Sequence, residues 1–107
     1  MNEEIFIPES QGGIAFPEIS RTERFLDLLN KTFLIHDFVL RQSKKFSGKE
    51  MAIIKCSDLE KKEEFVTFTT SEVIIKTLKE NEQKFKEGKK MKVTLIRPKG
   101  KNYLAFM

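Results

Sequence analysis

Cysteine, histidine and tryptophan are nearly missing from this sequence: one Cys, one His and no Trp in 107 residues. A lone cysteine, Cys56, excludes a disulfide framework and any multi-cysteine zinc site. A lone histidine, His36, excludes His-rich metal sites and any mechanism that needs two imidazoles. With 5 Gly and 3 Pro, the chain is neither collagen-like nor a low-complexity linker. No apolar run approaches the ~20 residues of a membrane-spanning helix. The opening Met1-Asn2-Glu3-Glu4 lacks the basic n-region of a secretory signal. The resulting expectation is a single intracellular domain with a free thiol, cytoplasmic (in the host cell if viral), with no membrane partner and no small-molecule substrate. What is present, 39% hydrophobic and 34% charged residues, suits a globular domain able to bury a core without staples.

Charge is unevenly distributed. The net charge is +4, from 20 Lys and Arg against 16 Asp and Glu. Residues 1–30 hold two basic groups and six acids, a balance of −4. Residues 31–56 hold six basic groups and two acids, +4, and residues 57–87 hold six and eight, −2. Residues 88–107 hold six basic groups and no acid, +6. Two basic segments therefore flank a mildly acidic middle and follow an acidic arm. Chance blocks of this kind occur in Lys-rich proteins, so the placement on the fold decides their meaning.

The pattern of elements is readable. Residues 1–19, punctuated by Pro8, Gly12-Gly13 and Pro17, form an irregular arm. Ser20-Arg21-Thr22-Glu23 fits a capping box and predicts a short helix at about 21–30. Strands are expected over Thr32–Ser43, with a bulge or bend at Asp37, over Glu50–Ser57 and over Glu64–Thr69. Ser71 caps a predicted helix that Gly88 stops. Strands then follow over Met91–Arg97 and Asn102–Phe106, with basic turns at 43–49 and 98–101. This order predicts a mainly β fold, a five-stranded OB-fold Greek-key barrel with a helix between strands 3 and 4. A small α+β sheet and an SH3-like barrel are the competing architectures.

OB-folds bind ligands across strands 2 and 3, between the strand 1–2 and strand 4–5 loops. Here those loops carry Lys44, Lys45 and Lys49, and Arg97, Lys99 and Lys101. The agreement between charge and fold points to single-stranded nucleic acid, which needs cations along phosphates and flat side chains under bases. Alternation puts Phe38, Leu40, Ala52, Ile54, Cys56, Val66, Phe68, Val93, Leu95, Leu104 and Phe106 inside. It puts Val39, Arg41, Met51, Ile53, Lys55, Phe65, Thr67 and Tyr103 outside. The candidate stackers are Phe46, Phe65 and Tyr103, and the candidate phosphate contacts are Arg41, Lys44, Lys45, Lys49, Lys55, Arg97, Lys99 and Lys101. Each has a plain alternative: core for the Phe residues, a wet rim for Tyr103, solvated loop lysines, and an Arg41–Asp37 pair.

Catalytic patterns are lacking. His36 and Asp37 point apart on a strand and form no dyad. Cys56 reads as a small buried residue. Asp58, Glu60, Glu63 and Glu64 read as a solvated turn rather than a nuclease metal site. Gly12-Gly13 lacks the Lys-Ser/Thr of a P-loop. No enzyme activity, metal or cofactor is expected.

Three segments resemble the small single-stranded-DNA-binding proteins of bacteriophages and mobile elements. They are Asp37-Phe38-Val39-Leu40-Arg41-Gln42-Ser43-Lys44-Lys45-Phe46, Phe68-Thr69-Thr70-Ser71-Glu72-Val73, and Gly100-Lys101-Asn102-Tyr103 followed by Phe106. The resemblance spans about residues 33–107. It implies a cytoplasmic OB-fold protein that coats single-stranded DNA in replication, recombination or repair. Thr70 departs from it, standing where glycine is expected, and the acidic segment is N-terminal rather than a C-terminal tail.

Other functions stay open from sequence. A protein-interaction OB domain would use outward Met51, Ile53 and Phe65 as a patch and dock Phe6, Ile14 and Phe16 on a neighbour. RNA binding would use the same surface as DNA, and a homo-oligomer is compatible with either. The acidic arm has three readings: it packs on the outside of the barrel, competes with DNA for the basic groove, or bridges subunits.

Overall fold

The structure, a computed structural model, describes residues 15–42 and 49–107. After a 3-10 turn at Phe25–Leu28 come strands β1 (Thr32–Gln42), β2 (Glu50–Asp58) and β3 (Glu64–Thr69). Helices α1 (Glu72–Glu80) and α2 (Glu82–Lys86) follow, then β4 (Met91–Ile96) and β5 (Ala105–Phe106). The chain is mainly β: one open five-stranded sheet in the order β3-β2-β1-β4-β5, with every pair antiparallel.

Strand β1 serves both halves of the sheet. Thr32–Ile35 pairs with β4, from Thr32↔Thr94 to Ile35↔Met91. Phe33–Gln42 pairs with β2, from Phe33↔Asp58 to Gln42↔Glu50. The register shifts between Ile35 and Asp37, leaving His36 as the extra residue. An extra residue bends a strand and increases its twist, and here the pairing with β4 ends while that with β2 continues to Gln42. The sequence places this bulge correctly, within one residue of Asp37.

The inner face holds the main core: Phe33, Ile35, Ala52, Ile54, Cys56, Phe65, Val93 and Leu95 from the strands, with Ile74, Ile75, Leu78 and Phe85 from the helices. Phe38, Leu40, Leu104 and Phe106 pack against it half-buried. The rings interlock: Phe33 lies 6.2 Å from both Phe65 and Phe106, and Phe38 lies 5.7 Å from Phe85. Burying each such side chain stabilises the fold by about 1.5–3 kcal/mol relative to leaving it wet.

Strand β3 corrects the sequence reading. Val66 and Phe68 were expected inside and Phe65 and Thr67 outside. The register Cys56↔Phe65 and Ile54↔Thr67 puts the latter pair on the inner face, since directly opposed residues share a face. Val66, with Ile53, Phe16 and Ile19, forms a second cluster on the outer face, against which Phe68 packs. Both faces of β3 are covered, so its alternation has no polar phase to read.

The leading helix is also corrected. Residues Arg21–Glu23 are extended along the free edge of β3: the Val66 N–H donates to the Arg21 carbonyl at 3.0 Å and the Glu23 N–H to the Val66 carbonyl at 2.9 Å. Arg21 takes the Glu23 side chain that a capping box would need, donating to it at 2.7 Å, and also donates to Asp58 at 2.9 Å and Glu63 at 3.0 Å. Only the single turn Phe25–Leu28 remains helical, and its Phe25 ring meets Phe106 of β5 at 6.4 Å. This segment covers an edge that would otherwise be open to foreign strands.

The Ser71–Gly88 helix forms but breaks. The Ser71 hydroxyl caps it by accepting from the Ile74 N–H at 3.4 Å. Asn81 leaves helical geometry (φ −110°, ψ 11°) and donates its amide to the Thr77 carbonyl at 2.8 Å, dividing α1 from α2. Gly88, at φ +83°, ends α2 as expected. The last strand is shorter than predicted, with only Ala105–Phe106 paired to Leu95 and Ile96.

Candidate functional site

Antiparallel pairing of Ala52 with Thr69 brings the start of β2 beside the end of β3. The connection between β4 and β5 approaches the same place. Between them lies a cleft of about 770 Å³. Lys49 and Arg97 supply its cations, Met51, Phe68 and Phe25 its apolar wall, and Tyr103 an aromatic ring at its edge. Lys49 and Arg97 are exposed, and Tyr103 is 40% exposed. Among the described residues neither cation has a carboxylate within ion-pair distance. Among the described residues Glu72 is the one acid in the lining. Two exposed cations, an accessible ring and an apolar wall can hold an anionic chain that carries flat groups.

The sequence-predicted residues divide around this cleft. Lys49, Arg97 and Tyr103, distant in sequence, come together in it. Arg41 stands opposite Met51 on the same sheet face. Its guanidinium donates to the Leu40 carbonyl at 3.4 Å, and Asp37, its alternative partner from the sequence, accepts from the Phe38 N–H at 2.8 Å instead. Lys99 and Lys101 are exposed on the adjoining turn, which the Lys101 N–H closes onto the Pro98 carbonyl at 3.0 Å with Gly100 at φ +78°. Lys44, Lys45 and Phe46 lie outside the described residues.

Two candidates stand elsewhere. Phe65 is 1% exposed inside the main core, so its ring is closed to any base. Lys55 lies at the far end of the outer face, engaged with Glu18 at 3.1 Å and Glu64 at 3.8 Å and set over the Phe16 ring at 5.9 Å. Phe68 lines the cleft, although alternation within β3 assigns it to the core. Its signal was the register: Phe68 pairs with Ile53, which the alternation of β2 already placed outside.

His36, Cys56, Asp58 and Glu63 serve the fold. The His36 Nε2 shares a 2.7 Å hydrogen bond with the Ser57 hydroxyl. Burial lowers its pKa, aided by the positive charges of Lys90 and Lys55 and opposed by Glu64. Burial pushes the Cys56 thiol well above its ordinary range, which keeps it unreactive. Asp58 and Glu63 hold Arg21 rather than facing each other across a metal site. Among the described residues no group of three or more His, Cys, Asp or Glu could hold a metal ion, and no helix is long and apolar enough to cross a membrane.

No protein-family model matches the chain, and neither a curated protein nor a solved structure does.

Proposed function

We propose that this chain binds single-stranded DNA, without catalysis and largely without regard to sequence, in replication, recombination or repair, and that its fold is an OB barrel. The strand order supports the fold part of this reading. A barrel closed in the order β1-β2-β3-β5-β4 reads β3-β2-β1-β4-β5 when opened between β3 and β5, and OB barrels are partly open. The helices between β3 and β4 and the bulged, twice-paired β1 agree with it.

The observation that carries the functional part is the cleft. It joins Lys49 and Arg97, from the two basic segments, with Tyr103, Met51 and Phe68. Phosphates lie along Lys49 and Arg97 and reach Arg41, Lys99 and Lys101, with Lys44 and Lys45 as further contacts. Bases stack on Tyr103 and Phe46 and rest against Phe68. Binding releases counterions, so affinity falls steeply as salt rises. In this reading the protein works in the cytoplasm.

The rival protein-docking reading is less favoured, because two of its three patch residues and one of its arm residues are covered. Of its three patch residues, Ile53 is 0% and Phe65 1% exposed, and Phe16 docks on this chain's own sheet. Fluorescence anisotropy with single-stranded DNA, the matching RNA and duplex DNA as competitors, at two salt concentrations, tests the proposal. Preference for the DNA single strand with strong salt dependence is expected. RNA preference would move the same cleft to RNA. No binding at low salt would overturn the reading.

A further inference from the structure

The segment 15–19 lies on the outer face of the sheet, the face that carries the cleft. Phe16 and Ile19 are each 7% exposed and bury Ile53 and Val66, with Val39, Met51 and Phe68 packed at the margin. Met51 and Phe68 also line the cleft. The covered surface and the cleft are therefore one continuous strip along β2 and β3, of which the arm occupies one end. Its manner of occupation is specific. Glu18 places a carboxylate on Lys55 at 3.1 Å, and the Phe16 ring lies beneath the same ammonium at 5.9 Å.

We infer that the strip beneath segment 15–19 is a second stretch of the single-strand binding surface, which the arm occupies in place of nucleic acid. The carboxylate of Glu18 stands where a phosphate would, and the ring of Phe16 where a base would. This rests on the functional reading above and extends it from the cleft to Lys55. Displacing the arm uncovers Val39, Ile53, Val66 and the remainder of Phe68, and frees Lys55 for a phosphate.

Two features argue for a strand of nucleic acid as the occupant rather than a protein segment. The strip runs without interruption into a cleft whose two cations have no carboxylate partner among the described residues, and the arm itself pairs an anion with an aromatic ring. Glu18 is also held in its charged form: its pKa is lowered by a hydrogen bond from the backbone and by Lys55. It therefore remains a competitor for Lys55 throughout the neutral range.

The test compares four full-length proteins, the natural sequence and the variants Glu18→Gln, Phe16→Asp/Ile19→Asp, and the latter with Lys55→Ala. Affinity for oligothymidylate is measured across a salt series, with thermal melts to confirm that each protein is folded. Releasing the arm should tighten binding by about tenfold at low salt. It should also steepen the salt dependence by about 0.7 in log–log slope, the value for one more phosphate neutralised on a single strand. Lys55→Ala should cancel that extra slope in the released protein. Glu18→Gln, which removes only an exposed ion pair, should give a smaller gain in the same direction.

If the natural protein binds while both released forms match it in affinity and slope, the inference is overturned and the cleft reading stands. If only the released forms bind, the inference stands and the cleft alone is insufficient. If none binds, both fall.

Discussion

Lys49 and Lys55 mark two ends of one strip of sheet, and they differ in everything but the face they share. At the Lys49 end the strip opens into a cleft with Arg97 and Tyr103. At the Lys55 end it is covered by Phe16 and Ile19, and the lysine is held by Glu18 and Glu64. Alternation along β2 decides which face a side chain takes, but not whether that face is free. That is decided by a segment more than thirty residues earlier in the chain, which brings its own ring and carboxylate. A basic residue on a binding face is thus available or spoken for according to what the rest of the chain lays on it.

The largest expected effect separates the covered strip from the core beneath it. Phe65→Ala should destabilise the fold by about 3–5 kcal/mol, because the ring fills the inner face against Phe33. Phe68→Ala, half-buried on the outer face, should cost less; equal losses in denaturant melts would contradict the assignment of faces. Next, Tyr103→Ala should leave stability nearly intact and weaken single-strand binding by about 1–3 kcal/mol, read by anisotropy at fixed salt.

Thr67 offers a smaller effect with the opposite sign. Its hydroxyl is buried on the inner face without a hydrogen-bond partner among the described residues. Thr67→Val should therefore raise stability by about 1 kcal/mol in equilibrium unfolding. The two lysines can then be compared directly. Lys49→Ala should reduce the salt slope of binding by about 0.7, whereas Lys55→Ala in the otherwise natural protein should leave it unchanged. Equal slopes for the two variants would erase the distinction between the ends.

His36 gives the smallest effect, at the covered end. The fold holds its pKa below the ordinary 6.5, so the unfolded chain takes up the proton first. The stability linked to a neutral His36 is whole above 6.5 and is lost as pH falls through the lowered folded value. His36→Gln should flatten that part of the pH–stability curve, measured by unfolding at pH 7.5 and pH 5.

Much of the fold was legible in the sequence. β3 has the predicted bounds, and β1, β2 and β4 come within a residue or so of theirs. The bulge beside Asp37, the Ser71 cap and the Gly88 stop were also read correctly, because each rests on local chemistry. Failures arose where distant residues override local signals. The Ser20–Glu23 capping box was defeated by three carboxylates converging on Arg21 and by pairing with Val66. Phe65 was misplaced because the arm makes the outer face of β3 as apolar as the inner one. In the site, Lys49, Arg97 and Tyr103 were named from the charge and loop pattern. Phe68 was missed and Lys55 taken as free, since neither the register nor the arm's docking is written locally.

Occupation of the cleft by a single strand can be followed residue by residue, through backbone amide resonances during titration with a short oligothymidylate. The shifts should concentrate at Lys49, Met51, Phe68, Thr70, Arg97 and Tyr103. Shifts confined to the lysine-rich stretch from α2 into β4, residues 84–92, or none at saturating DNA, would overturn the binding reading.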